Sequence, residues 1–240
     1  MATYRQIINR TLIALGHGDD LVGLLDTNLT DNYHIKIAQF INDILEQVED
    51  AAQWRVLVAR DTATISANAN SATLASSNER SRVWKVHEPA FGRLIPLAYD
   101  VTTSSAQNRL HPLDLAEILR RDQDDSNQSR GTTPTHFALD PTATAMGIVV
   151  YPRPSANVNV ELDMVIPQSR LPHTTLAELD VNVSVPALPV VLGAIWWALE
   201  DRGEELGPRG MKADVRYQEE LSQAVALEMA QQGADTLVPV

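Results

Sequence analysis

Val158-Asn159-Val160-Glu161-Leu162-Asp163-Met164-Val165 is the stretch on which the fold turns. Val158, Val160, Leu162 and Met164 alternate with Asn159, Glu161 and Asp163, a period of two that gives a strand one buried and one wet face. Toward the N-terminus the same period recurs. Val56 and Val58 alternate with Leu57 and Ala59, then Thr62, Thr64 and Ser66 with Ala63, Ile65 and Ala67. The polar run 68–71 predicts a turn, and Ala72, Thr73 and Leu74 a return strand. Further short strands are expected at 83–86, 94–98, 136–139 and 147–151, with 152–157 a hairpin-like turn. One short helix interrupts them at 112–121, with Pro112 near its start and Arg120-Arg121 at its end, as the helix dipole favours. Residues 122–133 are polar and read as a loop.

Outside this region the period lengthens to that of a helix. Tyr4, Ile7, Ile8, Thr11, Leu12 and Leu15 are spaced for a first helix, which Gly16 ends from the left-handed C′ position. A second helix begins near Thr30 or Asp31, both good N-caps. Its apolar positions Tyr33, Ile37, Phe40, Ile41, Ile44, Leu45 and Val48 describe one face. Leu192, Ile195, Trp196 and Leu199 form a stripe on a helix opened by Pro189, and a last helix runs from about Arg209 to Gln231. Its apolar positions include Met211, Val215, Leu221, Val225 and Met229. The expected plan is α+β. An α-helical bundle built from both chain ends (1–54 and 188–240) carries an inserted antiparallel β-sandwich or barrel module (55–187).

The net charge is −12, so the surface repels phosphate and is not one that grips a DNA backbone. Only Lys36, Lys85 and Lys212 are lysines; the other basic residues are arginines, which favour bidentate pairing across interfaces. There is no cysteine, which removes thiol catalysis, Fe–S clusters, Cys-type zinc and disulfides together. The first residues have no apolar core of a signal peptide. The apolar run 183–199 contains Pro186 and Pro189 and reads as a buried helix, so no membrane span is expected.

No motif carries chemistry. Gly16-His17-Gly18 follows no strand, so it is a turn and not a dinucleotide fingerprint. The acidic run from Asp122 lacks the glycine and glutamate of a calcium loop. The six histidines are scattered, with no helical metal pair and no Gly-x-Ser-x-Gly elbow. No catalytic residue, metal or cofactor is expected. Trp196 and Trp197 are a different signal. Neighbours on a helix point about 100° apart, so one of them should meet another layer or another chain.

The ordered set of features resembles a known family. It comprises Met1 to Gly16 (MATYRQIINRTLIALG), the helix ending at Trp54, Pro134-Thr135-His136-Phe137-Ala138-Leu139, and Val150-Tyr151-Pro152-Arg153-Pro154 before Val160-Glu161-Leu162. Leu188-Pro189 then opens a helix ending in Ala198-Leu199-Glu200-Asp201-Arg202-Gly203-Glu204, and Tyr217-Gln218-Glu219-Glu220-Leu221 follows. This is similar to the head-to-tail adaptor (connector) proteins of tailed bacteriophages, the tail tubular A group among them. The resemblance implies a structural virion protein, not an enzyme, forming a dodecameric ring under the portal. That ring joins the capsid vertex to the tail and lines the DNA exit channel.

The implied partners are further copies of the chain, the portal protein and a tail or nozzle protein, with DNA passing through the lumen without specific binding. The setting is the head–tail junction of the virion, and the host cytoplasm during assembly. Leu237, Val238, Pro239 and Val240 are then the expected portal-docking residues. Trp196 and Trp197 are expected between subunits, and Asp122, Asp124 and Asp125 in a tail-facing loop. The alternatives are another virion or tail structural protein, and a hydrolase using His136 or His173 with nearby carboxylates.

Overall fold

The computed structural model describes residues 2–24, 26, 28–75, 80–88, 93–102, 108–124, 133–141, 146–172 and 175–235. The chain divides into two compact units, Met1–Val56 with Gln168–Val240, and Leu57–Pro167.

The second unit is built on β1 (Val58–Ile65) and β10 (Val158–Val165), which pair antiparallel along their whole length from Val58↔Val165 to Ile65↔Val158. The alternation in β10 works as its sequence predicts. Val158, Val160, Leu162 and Met164 are buried in the core with Ala63, Ile65, Leu110, Phe137 and Ile148. On the wet face Arg60 of β1 bonds Asp163 at 3.0 Å and Glu161 at 3.4 Å, and the Thr64 hydroxyl donates to Asn159 Oδ1 at 2.9 Å.

The other edge of β10 carries β3 (Arg82–Val83) and β6 (Ala98–Asp100). From β6 the sheet continues through β7 (Asn108–Pro112), β8 (His136–Pro141), β9 (Met146–Tyr151) and β2 (Ser71–Thr73). β4 (Lys85–Glu88) and β5 (Arg93–Pro96) form a separate two-stranded ribbon.

This corrects the expected architecture. The class is α+β, but the strands make neither an antiparallel sandwich nor an antiparallel barrel. They form one nearly closed, mixed eight-stranded sheet in which β7 and β8 run parallel. The cause is α3 (Leu115–Asp124), which lies between those two strands in the chain. A crossover through a helix brings the next strand back parallel, whereas a tight turn would have made it antiparallel. Ile118 seats α3 on the sheet against Ala138 and Val149. The turn near 68–71 and the strand after it form, but that strand, β2, pairs with β9 and not with β1, and across 152–157 β9 and β10 do not pair with each other. The helix that interrupts the strands packs on the sheet, and the other helices fall in the unit made of residues 1–56 and 168–240.

The first unit holds α1 (Tyr4–Ala14), α2 (Asn32–Ala51), the single turn α4 (Leu176–Leu179), α5 (Ala187–Asp201) and α6 (Pro208–Asp235). α1 opens on a capping box between Thr3 and Gln6 and closes before Gly16, whose φ of 89° suits a residue without Cβ. Asp31 caps α2, accepting from the amides of Tyr33 at 2.7 Å and His34 at 3.2 Å.

α5 is enclosed more widely than its expected stripe. Val190, Val191, Gly193, Ala194 and Ala198 are buried, while Leu192, Ile195, Trp196 and Trp197 are half-buried. α1, α2 and α6 all pack on α5. The small residues lie at the closest approach: a Cβ on Gly193 would fall 2.6 Å from Ile44 Cγ2 and 3.1 Å from Tyr217 Cε2. No helix among the described residues is long and apolar enough to cross a membrane.

Candidate functional site

The helical unit carries the features that point outward. Trp196 stacks on Tyr217 of α6, with ring centroids 6.1 Å apart and planes at 22°. Trp197 meets Phe40 of α2 edge-on at 6.0 Å. The two tryptophans therefore turn to different neighbours of α5, each with a partner inside the unit and each only half-buried. Burial pushes the Tyr217 phenol up from its ordinary pKa, and its hydroxyl donates to Gln47 Oε1 at 3.3 Å.

α6 is covered along one face only. Gly210, Ala213 and Tyr217 are buried and Leu221 and Ala224 half-buried, at spacings that follow one side of the helix. Met211, Val215 and Met229, expected as part of its apolar set, instead face outward together with Leu227. The expected stripe does share one helical period, but its centre lies about 120° around the helix from the Gly210–Ala213–Tyr217 line that α5 covers, so only Leu221 at its edge reaches the covered side.

Beside the start of α6 lies a cleft of about 230 Å³. Leu15, Leu192, Ile195 and Leu199 make its apolar floor, and Arg202, Arg209, Lys212 and Arg216 its rim. Arg202 is anchored, with its guanidinium on the Tyr33 hydroxyl and 2.9 Å from His17 Nε2. Sequence reasoning missed this site, although Arg209, Lys212 and Arg216 at i, i+3 and i+7 were a readable signal.

Asp20, Asp31 and His34 also converge, with one ligand-capable atom from each within 4.8 Å of the others. Asp31 Oδ1 is already spent on capping α2, and His34 Nε2 lies 3.0 Å from the Asp20 carbonyl oxygen and 3.3 Å from Asp20 Oδ2. The group ties the 19–22 segment to α2. Arg5 does similar work in the α1 region: its buried guanidinium bonds Asp180 Oδ1 at 3.0 Å, the Asp26 carbonyl at 3.3 Å and the Gly23 carbonyl.

The remaining predicted residues fall elsewhere. Asp122 lies in α3, not in a loop. It accepts from Arg153 Nε and Nη2, one edge of the guanidinium, on its two oxygens, and from Asn70 Nδ2 at 3.1 Å. Asp124 ends α3, exposed and paired with Arg120 at 2.9 Å. Asp125, His173, Leu237, Val238, Pro239 and Val240 lie outside the described residues.

His136 faces His111 across the parallel pair, with ring centroids 6.1 Å apart, and its Nδ1 is 2.8 Å from the Thr135 hydroxyl. Burial lowers the His136 pKa, helped by Arg121 and His111.

No protein-family model and no curated protein matches the chain. The functional reading therefore rests on the geometry above and on the sequence resemblance.

Proposed function

We propose that this chain is a structural adaptor of a tailed phage. It assembles into a ring beneath the portal, joins the capsid vertex to the tail and surrounds the DNA exit channel. The observation that carries the reading is α6, a 28-residue helix covered on one side and studded with Met211, Val215, Leu227 and Met229 on the rest. Met211, Val215 and Met229 recur on one side of this helix and stay exposed, which is apolar area that another chain can cover. The half-buried edges of Trp196 and Trp197 add aromatic area of the kind enriched at interfaces.

A net charge of −12 suits a channel wall that DNA passes without adhering. The order of motifs shared with head-to-tail adaptors supplies the ring, the portal and the tail or nozzle protein as partners.

Negative-stain imaging of the full chain, alone and mixed with the portal protein of the same virus, tests the reading. Rings in either sample are the expected result. Single particles of monomer size in both samples would remove it.

A further inference from the structure

Arg209, Lys212 and Arg216 make no ion pair with any described residue, which is unusual in a chain where acids outnumber bases 31 to 19. They stand over the leucine floor of the cleft beside α6. The stripe they begin continues along the same helix face in steps of three and four, through Glu219, Gln223 and Leu227. One line of α6 is thus basic in its first half, then acidic and apolar in its second. Glu219 and Glu220 likewise make no ion pair with a described residue. Leu227 and Met229 are 62% and 65% exposed.

The second half cannot serve its own cleft. Arg209 and Leu227 are separated by 18 residues of continuous helix, about 27 Å. We infer that the cleft receives the acidic, apolar second half of α6 from a second copy of this chain, with Leu227 on the leucine floor and Glu219 and Glu220 against Arg209, Lys212 and Arg216.

Two features favour a second copy over DNA. The floor is apolar, which suits leucine and offers nothing to a phosphate backbone. Away from this cleft the chain is more acidic still, so another copy is its natural counter-charge. A copy that gives its second half to one neighbour keeps its cleft free for the next, the head-to-tail logic that closes rings. The inference rests on the ring reading and assigns one of that ring's contacts.

Sedimentation velocity on the full chain tests it, with Arg209→Glu/Lys212→Glu/Arg216→Glu, Glu219→Lys/Glu220→Lys, the chain carrying all five changes, and Leu227→Asp. Each partial charge reversal, and Leu227→Asp, should weaken self-association by about tenfold or more, with the helical circular dichroism retained. The five-fold variant should recover association to within about threefold of the wild type, and rising salt should weaken the wild-type contact. Wild-type association in the partial variants, or no recovery in the five-fold variant, overturns the inference and leaves the ring reading standing. So does loss of binding to a 30-base-pair duplex with self-association unchanged. A wild-type chain that stays monomeric, even with its portal, overturns both.

Discussion

Asn42, buried on α2, holds both backbone groups of Leu171: its Oδ1 accepts the Leu171 amide at 3.0 Å and its Nδ2 donates to the Leu171 carbonyl at 3.0 Å. The same Nδ2 lies 3.2 Å from the Tyr4 hydroxyl, which in turn donates to the Ala38 carbonyl at 2.8 Å. One amide side chain therefore joins α1, α2 and a segment 129 residues away. Burial raises the Tyr4 phenol above its ordinary pKa, so it remains a neutral donor. Asn42→Ala strands the Leu171 groups in the core, and each unsatisfied buried group costs about 1–3 kcal/mol. Urea denaturation followed by tryptophan fluorescence should show a loss of about 2 kcal/mol or more. Asn42→Asp should not rescue it, because a carboxylate cannot donate to the Leu171 carbonyl.

Gly193 fixes how closely α5 approaches α2. Alanine is the better helix former by about 1 kcal/mol, yet its Cβ would sit 2.6 Å from Ile44 Cγ2. Gly193→Ala should therefore lower stability by about 1–3 kcal/mol. Adding Ile44→Ala relieves the clash, so the two changes should be non-additive in a double-mutant cycle.

Acid should weaken the helical unit through Asp31. The amides of His34 and Tyr33 hold its carboxyl below the usual carboxylate range. A carboxyl with a depressed folded pKa contributes stability that is complete above its unfolded value, near 4, and is lost as pH falls through the folded value. Melting temperature should fall between about pH 5 and about pH 2. Asp31→Asn keeps a capping oxygen but no titrating group, so its acid limb should be shallower. An unchanged pH profile in that variant would assign the acid limb to other carboxyls.

Asp122 and Asp124 should behave differently although two residues apart. Asp122 binds Arg153 and Asn70, whereas Asp124 is an exposed partner of Arg120. Asp122→Ala should cost about 1 kcal/mol of stability, and Asp124→Ala close to nothing. Thermal melts of the two variants check the difference. Equal effects would show that the Arg153 contact contributes no more than a surface ion pair.

Local patterns in the sequence translated well into local structure. The alternation at 158–165, the Asp31 cap and the left-handed Gly16 each follow from a few adjacent residues. Strand partnership did not, because a period of two says which face is buried and not which strand lies alongside. A short helix was readable here, but it runs Leu115–Asp124, with Pro112 ending β7 instead of opening the helix, and the parallel β7–β8 pair follows from chain crossover and not from the helix's own residues.

The stripe on α5 was read too narrowly because three helices enclose it, and Gly193 and Ala194 carry no hydrophobic signal despite their burial. The Asp20–Asp31–His34 group unites a loop with a helix start and leaves no spacing to recognise. The cleft rim was legible as a basic i, i+3, i+7 series on a predicted helix. Its leucine floor, drawn from α1 and α5, was not.

Assembly state tests the proposed adaptor role most directly. Mass photometry of the full chain, alone and with its portal protein, over a range of concentration and salt, measures it. Closed assemblies of twelve copies of the 26.4 kDa chain are the predicted result. A particle that remains at the mass of one chain under every condition, portal included, would contradict it.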